Sequence, residues 1–341
     1  MTAACTPRKY NHTTPEREVM GNITQLISGD LAQLERSIDI LLTTKVTFIK
    51  EVVQHIVKSG GKRIRPMLVI LSAKLCGVQD DKHIPFAAII EFIHTATLLH
   101  DDVVDNAKIR RGRLTANTIW GNEPSVLVGD FLFTKSFDLM VHIQNAEILK
   151  VMADATTSLA EGEIMELLRT SDINTTEHDY FEVIANKTAV LLSAACEVGA
   201  ILGQVDPERR SALNQFGYHL GMAFQVKDDL LDYVSTDSTL GKNTGIDFKE
   251  GKVTLPLIHA LKYATERERE LIATAFQKTR TNKKDFQRVK RTIEKYGGLD
   301  YTSAVSREHI DKARGFLELF PPSPYKDALL ELAGYIITRE A

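Results

Sequence analysis

Three aspartates end an otherwise apolar stretch of the sequence, HTATLLHDDVVD, at residues 94–105. Asp101 and Asp105 are four residues apart, so on a helix they would lie one turn apart on one face, with Asp102 beside them. Like charges at this spacing repel each other, and a helix that keeps them either leaves them solvated or neutralises them with a cation. Taken alone, the motif is more typical of a solvated helix end than of a metal site.

The same spacing recurs in QVKDDLLDY, residues 225–233, as Asp228, Asp229 and Asp232. Mg²⁺ prefers oxygen ligands and is commonly held by one or two carboxylates together with substrate phosphates. Two facing helices, each with aspartates one turn apart, could hold a cluster of Mg²⁺ that a diphosphate bridges. Both motifs are embedded in apolar sequence, which indicates a cleft, so the repetition favours the metal site.

Basic loops lie near the aspartates in the sequence. GGKRIRP places Lys62, Arg63 and Arg65 after a flexible Gly-Gly, and RRGR at residues 110–113 follows the first aspartates. Arginine contacts phosphate oxygens in a bidentate manner, and lysine supplies a point charge. Such loops are usually only solvated, but beside acidic metal sites they indicate two diphosphate pockets, one held by metal and one by basic side chains.

Three further lysines have the charge that such a site needs. Lys187 precedes Thr188 in the apolar segment IANKTAVLL, where an unpaired lysine would be unfavourable. Lys242 stands in LGKN, and Lys252 stands in EGKVTLP. A metal-bound diphosphate would pair these charges.

Apolar residues recur at helical spacing nearly throughout the chain, as at Ile38, Leu41 and Leu42, and strand-type alternation is almost absent. This pattern predicts an all-α fold, and the 43% hydrophobic content of the 341 residues is enough for a large core. Because no segment is long or biased enough to be a domain linker, we expect one domain over residues 21–341. Residues 1–20 are predicted to form an N-terminal arm, either ordered or mobile.

Composition limits the partners and the location of the protein. A net charge of −3 gives no basic field, so no nucleic-acid partner is expected. The three cysteines, Cys5, Cys76 and Cys196, are widely spaced and indicate reduced thiols, which is typical of a cytoplasmic protein. The N-terminus lacks the apolar stretch of a signal peptide, and no run of about 18 apolar residues occurs, so we expect a soluble protein.

Five motifs, in their order and spacing, resemble the trans-isoprenyl diphosphate synthase (polyprenyl synthetase) family over about residues 30–340. They are GGKRIRP, HTATLLHDDVVDNAKIRRG, NKT, FQVKDDLLDY and LGKNTGIDFKEGKVTLPLI. The resemblance implies an all-α isoprenoid synthase fold whose helices surround a deep central cavity, usually as a homodimer. It also implies a prenyltransferase that adds isopentenyl diphosphate to an allylic diphosphate primer by ionisation, condensation and proton elimination.

The resemblance further implies a role for each matching residue. Three Mg²⁺ ions and the allylic diphosphate would be bound by Asp101, Asp102, Asp105, Asp228, Asp229 and Asp232. The cations on the leaving diphosphate would be Arg110, Lys187, Lys242 and Lys252. The isopentenyl diphosphate site would consist of Lys62, Arg65, His94 and Arg111. The polar groups that stabilise the allylic cation would be Thr188 and Gln225. His100 is interpreted as a packing residue or a supporting residue.

The helical turn before the first aspartates is expected to line the tunnel into which the product grows. It offers Ala96 and Thr97, where short-chain members of the family have a bulky residue. Small residues here predict a long product of eight to ten isoprene units, as in octaprenyl and decaprenyl diphosphate synthases and in the side chains of respiratory quinones. The tunnel floor would lie deeper, at Phe133, Phe137 or Met152. So apolar a product suggests transient membrane contact for its release.

Several alternatives remain at this point. A short-chain synthase that makes C15–C20 products would share all the motifs, and a non-catalytic regulatory subunit of a heteromeric synthase would share the fold but lose metal ligands. The pair His100-Asp101 could belong to a metal-dependent phosphohydrolase, although the second aspartate motif has no histidine beside it. A terpene cyclase would usually replace the second aspartate motif with an Asn/Ser/Glu pattern, which is absent here.

Overall fold

The computed structural model describes residues 15–234, 245–277 and 283–339. These residues form helices and one short antiparallel hairpin, so the predicted all-α fold is confirmed. The hairpin pairs β1 (Ile109–Arg110) with β2 (Arg113–Leu114). The helices of the first half are α1 (Pro15–Leu26), α2 (Ser28–Leu41), α3 (Thr47–Lys58), α4 (Ile64–Leu75), α5 (His83–Val104), α6 (Ala116–Trp120), α7 (Asn122–Ile143) and α8 (Ala146–Arg169).

The second half of the chain continues the helical pattern. A π-helical turn (Ala185–Ala189) joins α9 to α10, and a short 3₁₀ turn (Leu317–Leu319) follows α16. The helices are α9 (Glu177–Ile184), α10 (Val190–Leu202), α11 (Pro207–Val234), α12 (Ile246–Glu250), α13 (Leu255–Tyr263), α14 (Glu266–Phe276), α15 (Lys283–Lys295), α16 (Gly298–Phe316) and α17 (Pro324–Thr338).

Two apolar clusters form the core of the described residues. The larger one centres on α4, α5 and α10, which are apolar around most of their circumference and buried along most of their length. The smaller one gathers side chains of α9, α13 and α15. Helix α11 contributes to both clusters and packs along α10 and α16. The ends of α5 and α11, where the two aspartate motifs lie, are thereby fixed by the two clusters.

The outer helices are amphipathic. Helix α15 has Phe286, Val289 and Ile293 on its buried face, at helical spacing, and basic residues on its exposed face. Helix α1 begins at Pro15, within the range predicted as an N-terminal arm, and packs on α17 with Ile23 buried. The limits of the domain and of the arm stay a prediction.

One stretch of helix has the length and composition of a membrane span. Residues Glu177–Leu202 have a mean hydropathy of 1.3 in their most apolar window, and 67% of that window is buried inside the protein. A buried core helix has the same composition as a span. Since this stretch packs against α8 and α11, its apolar residues are accounted for by the core.

Candidate active site

The two aspartate motifs lie at the C-terminal ends of long helices. Asp101 and Asp102 occupy the last turn of α5, and Asp105 is its C-cap, whereas Asp228 and Asp232 lie one turn apart near the end of α11. A cavity of about 120 Å³ opens beside the second motif. Its walls come from α8, α9, the π-helical turn, α11 and the segment around α12, and the polar side chains on them are Glu166, Arg169, Thr175, Tyr180, Lys187, Thr188, Gln225, Asp229, Asp247, Lys252 and Thr254.

The first aspartate motif is neutralised by basic residues that the sequence analysis assigned to the same site. The Oδ1 atom of Asp102 accepts a hydrogen bond of 2.7 Å from Nε of Arg110. The Oδ2 atom of Asp105 lies 3.3 Å from Nζ of Lys252, which comes from the other half of the chain. Burial raises the pKa of Asp101 to about 7, although the nearby charge of Lys187 opposes this shift.

The second aspartate motif is held by hydrogen bonds along α11. Asp229 is buried and accepts hydrogen bonds from the Tyr180 hydroxyl (2.6 Å) and from Nε2 of Gln225 (2.8 Å). Burial still raises the pKa of Asp229 to about 7. The Asp232 carboxylate accepts two backbone N–H groups at 3.1 Å, those of Ile246 and Asp247, so it fixes the start of α12.

Asp228, which opens the second motif, pairs with a residue close to the C-terminus. The Nη2 atom of Arg339 lies 2.9 Å from Oδ1 of Asp228 and also donates to the carbonyl oxygen of Phe224 at 2.9 Å. The guanidinium stacks 4.0 Å from the centroid of the Phe224 ring and is 4% exposed. The residue that follows α17 is therefore tied to α11.

These carboxylates fit a hard cation. They supply only oxygen donors, which a hard cation prefers. Burial raises the pKa values of Asp101 and Asp229 and so disfavours their ionised forms, and a bound cation would stabilise the ionised carboxylates. In the part of the chain that the structure describes, no three His, Cys, Asp or Glu side chains converge closely enough to hold an ion by themselves. Phosphate oxygens and water would complete the coordination, as is usual for Mg²⁺.

Two of the lysines predicted to bind the leaving diphosphate, Lys187 and Lys252, line the cavity. Nζ of Lys187 lies 2.7 Å from Glu163 and 2.5 Å from Glu166, two carboxylates of α8. Nζ of Lys252 lies 2.9 Å from Glu250. Burial would lower the pKa of each lysine, but these carboxylates raise it above the ordinary value, so both lysines stay charged. Lys242 lies outside the described residues.

Lys187 and Thr188 project from the π-helical turn and not from a regular helix. Such turns are common at functional sites, because the extra residue changes the direction of the side chains. The hydroxyl of Thr188 donates to Oε1 of Gln225 at 2.9 Å, so the two groups assigned to the allylic cation lie side by side. A Cβ atom added at Gly221 of α11 would lie 2.5 Å from Cα of Ala189, so glycine permits this approach.

The predicted isopentenyl diphosphate residues form a second, basic cluster. The Nη1 atom of Arg65 lies 3.1 Å from Nε2 of His94, and Arg111 donates to the carbonyl oxygen of Gly60. Lys62 is exposed at the edge, with Nζ 5.0 Å from the centroid of the Tyr335 ring.

The charge states of this cluster follow from its burial. Burial lowers the pKa of Arg65 to about 10, and burial together with the charge of Arg65 lowers the pKa of His94 well below its ordinary value. His94 is therefore neutral at neutral pH. Because arginine only donates, Nε2 of His94 accepts, and its proton lies on Nδ1.

The predicted chain-length residues differ in their exposure. Ala96 is completely buried in the larger core cluster, whereas Thr97 is half-buried one turn before Asp101, with its hydroxyl bonded to the carbonyl of His94. Since Thr97 shares the helix face of Asp101, it lies at the top of any tunnel that starts at the aspartates.

His100 packs against α7, as the sequence analysis expected of a packing residue. Its ring stacks on that of Phe133 with 5.9 Å between centroids, and its Nε2 lies 3.2 Å from the carbonyl oxygen of Val126. Of the other residues predicted for the tunnel floor, Phe137 of α7 is partly buried and Met152 of α8 is completely buried.

Several polar residues of the site were not identified from the sequence. Tyr180, Glu166, Asp247 and Arg339 contact predicted site residues. Of these, Tyr180, Glu166 and Arg339 stand in segments without a distinctive pattern. Burial, followed by the charges of Asp229 and Asp232, raises the pKa of Asp247 well above its ordinary value. Asp247 lies within a quoted motif, LGKNTGIDFKEGKVTLPLI, and its presence there was the one available signal.

Comparison with known proteins gives consistent matches over nearly the whole chain. A profile of the polyprenyl synthetase family matches residues 46–293. Octaprenyl diphosphate synthase of Escherichia coli (strain K12) is 41% identical over 318 residues, which cover 93% of this chain and 98% of that protein.

Two solved structures have the same architecture. The crystal structure of a decaprenyl diphosphate synthase from Rhodobacter capsulatus superposes with a TM-score of 0.89 at 41% identity, and it covers 93% of this chain and 98% of its own. A polyprenyl synthase from Caulobacter crescentus CB15, complexed with calcium and isoprenyl diphosphate, gives a TM-score of 0.90 at 42% identity over 94% and 98% of the two chains.

Proposed function

This chain belongs to the polyprenyl synthetase family, and from that premise we propose how its residues perform the reaction of a long-chain trans-polyprenyl diphosphate synthase. It is a prenyltransferase. The observation that supports the assignment of residues most strongly is that Asp229 of the second motif lines one cavity with Lys187 and Lys252. Lys252 also contacts Asp105 of the first motif, and a separate basic cluster contains Arg65 and His94.

Breaking the bond between the allylic carbon and its diphosphate places negative charge on the departing oxygen. Lys187 and Lys252 lie in the cavity wall and remain protonated, so their positive charges stabilise that charge. Arg110, which is paired with Asp102, adds a third cation. These side chains bind and orient the leaving group.

Polyprenyl synthetases are Mg²⁺-dependent. We propose three ions, held by Asp101 and Asp105 on one side and by Asp228 and Asp232 on the other, with Asp102 and Asp229 in support. When bound, Mg²⁺ would neutralise charge on the diphosphate oxygens. The hydrogen bonds from Tyr180 and Gln225 keep Asp229 oriented toward the site.

The positive charge that develops on the allylic carbon needs polar oxygen nearby but no free water. Oγ1 of Thr188 and the side-chain oxygen of Gln225 supply such oxygens, and Val183, Ile184 and Val253 make the adjacent wall apolar. Exclusion of water from this wall protects the cation from hydrolysis.

Isopentenyl diphosphate would bind at the second cluster, where Arg65 and Arg111 supply two guanidinium groups and His94 supplies a neutral ring N–H. The proton lost after condensation would pass to the departing diphosphate.

We propose a product of eight to ten isoprene units for quinone side chains. The small side chains at Ala96 and Thr97 and the names of the octaprenyl and decaprenyl relatives support a long product. The short-chain alternative is not favoured by the comparisons.

The experiment that tests the assignment is incorporation of labelled isopentenyl diphosphate into solvent-extractable product by the purified protein, with an allylic diphosphate and Mg²⁺. Activity of the protein alone, abolished by EDTA and restored by Mg²⁺, is expected. No incorporation without a second subunit would favour a regulatory role instead.

We also propose a homodimer. Large apolar side chains remain exposed on α7 and α8, among them Leu127 (67%), Val141 (58%), Ile164 (58%) and Leu168 (77%). A second copy of this chain is the occupant that we propose for this surface. Leu168→Glu is expected to shift sedimentation toward the monomer. Ile40→Glu, at an apolar residue of α2 that is 68% exposed, is the control that should not.

Location in the cytoplasm remains a proposal, supported by the cysteine content of the sequence. Transient membrane contact for product release is proposed because a long isoprenoid is strongly apolar. Fractionation of cells, followed by vesicle flotation of the protein with and without bound product, tests both proposals.

A further inference from the structure

One acidic side chain of the cavity has no role in the mechanism described above. Glu166 lies on α8 and lines the cavity between two lysines. Its Oε2 atom lies 2.5 Å from Nζ of Lys187 and 3.7 Å from Nζ of Lys252. A single carboxylate therefore contacts both lysines assigned to the leaving diphosphate.

Each lysine also has a carboxylate partner other than Glu166. Oε2 of Glu163 lies 2.7 Å from Nζ of Lys187, and Oε2 of Glu250 lies 2.9 Å from Nζ of Lys252. Buried charges need a partner, and these two contacts already supply one for each lysine. Glu166 adds a further negative charge to a pocket that must bind an anionic diphosphate. Stabilising the two buried lysines in the folded protein would not require this additional charge.

Glu166 stays ionised in the folded protein. Burial would raise its pKa, but the charges of Lys187 and Lys252 lower the pKa below its ordinary value. Its side chain is 23% exposed, so solvent screens its contacts with the two lysines only in part. Its negative charge is therefore present whenever the diphosphate binds or leaves.

We propose that Glu166 is a positioning residue that holds Lys187 and Lys252 in place and, by competing for them, speeds release of diphosphate after each condensation. The inference rests on the proposed function. A long product needs several condensations, and each one leaves a diphosphate that must depart before the next cycle. As the anion leaves, the Glu166 carboxylate is already in place to pair with both lysines.

The test is Glu166→Gln, which keeps the shape of the side chain and removes its charge. The inhibition constant of inorganic pyrophosphate is measured against farnesyl diphosphate at fixed Mg²⁺, together with kcat and KM. Removing the negative charge of Glu166 beside the two lysines is expected to lower the inhibition constant of pyrophosphate roughly tenfold. KM for the allylic diphosphate should fall in parallel, and kcat should fall because release becomes slower.

Three further variants separate positioning from a general structural effect. Glu163→Gln, at a carboxylate whose ion pair is with Lys187, should lower the inhibition constant less. Glu166→Asp, which retains the charge one methylene further away, should give an intermediate value, and it provides the same test if Glu166→Gln loses its helical circular dichroism. Glu270→Gln, at an exposed carboxylate of α14, should leave all constants unchanged.

The outcomes distinguish this inference from the proposed function. If the unmodified protein extends the primer but Glu166→Gln has an unchanged or higher inhibition constant for pyrophosphate, the role of Glu166 is wrong while the function stands. If the unmodified protein extends no primer, the proposed function itself fails. A higher KM with unchanged kcat in Glu166→Gln would also overturn the inference, since it would mean that Glu166 only supports substrate binding.

Discussion

Gly221 allows α11 to approach the π-helical turn, and its replacement by alanine is expected to impair catalysis more than folding. The added Cβ would lie 2.5 Å from Cα of Ala189, whereas carbon atoms in contact are about 3.5–4.0 Å apart. The two backbones must therefore separate by about 1 Å. Thr188 directly precedes Ala189, and Gln225 follows Gly221 by one turn, so the separation lengthens their 2.9 Å hydrogen bond.

The effect on stability should be modest. Overpacking of a core position costs about 1–3 kcal/mol. Replacing a helical glycine by alanine recovers about 0.5–1 kcal/mol of this. We expect Gly221→Ala to lower the free energy of unfolding by about 1–2 kcal/mol. A misplacement of about 1 Å in the groups that surround the reacting carbon can lower kcat about 100-fold.

The assay for this prediction combines a urea titration followed by circular dichroism with steady-state incorporation of labelled isopentenyl diphosphate. Gly315→Ala in α16 is the matched control, because a Cβ at that position meets no atom within 4 Å. The control should keep full kcat and should not lower stability. Normal kcat in Gly221→Ala, or equal losses in the two variants, would refute the argument that close approach at Gly221 positions Thr188 and Gln225.

Three further predictions follow from the site and the fold. Asp101→Ala and Asp228→Ala should each abolish incorporation while leaving the helical circular dichroism unchanged, and near-normal turnover in both would exclude the metal cluster. Ala96→Phe should shorten the products, as seen by mass analysis, and an unchanged distribution would mean that the tunnel does not pass this residue. Burial, together with neighbouring His219, lowers the pKa of His309 from 6.5 to about 4. Between these pH values the folded state binds fewer protons than the unfolded state, so the protein loses stability as the pH falls from 6.5 to about 4. His309→Gln should therefore make the urea midpoint less dependent on pH between about 6.5 and 4, and an equally steep dependence would contradict this.

The fold class and the aspartate motifs were predictable because their signals are local. Helical periodicity depends on residues three and four positions apart, and the DDxxD spacing places its carboxylates on one helix face in any helical structure. The apolar sequence around Asp101 and Asp228 indicated a cleft, and the structure places both motifs at the ends of buried helices.

The partners of these residues were not predictable, because they come from distant parts of the chain. The contact between Asp105 and Lys252 joins α5 to the segment after α12, and the contact between Asp228 and Arg339 joins α11 to the end of α17. No sequence spacing indicates such pairs.

The π-helical turn at Lys187 also has no simple sequence pattern. The apolar spacing of IANKTAVLL indicated only a continuous helix. The turn is closely packed on both sides, since a Cβ at Gly162 of α8 would lie 2.7 Å from the backbone nitrogen of Lys187, and one at Gly221 would lie 2.5 Å from Cα of Ala189.

The measurement that tests the central claim most directly is the product distribution of the purified protein with Mg²⁺, farnesyl diphosphate and labelled isopentenyl diphosphate, resolved by mass. We predict a ladder that ends at forty to fifty carbons. A ladder that stops at fifteen or twenty carbons would contradict the long-chain assignment, and no extension at all would contradict the proposed catalytic role of the site.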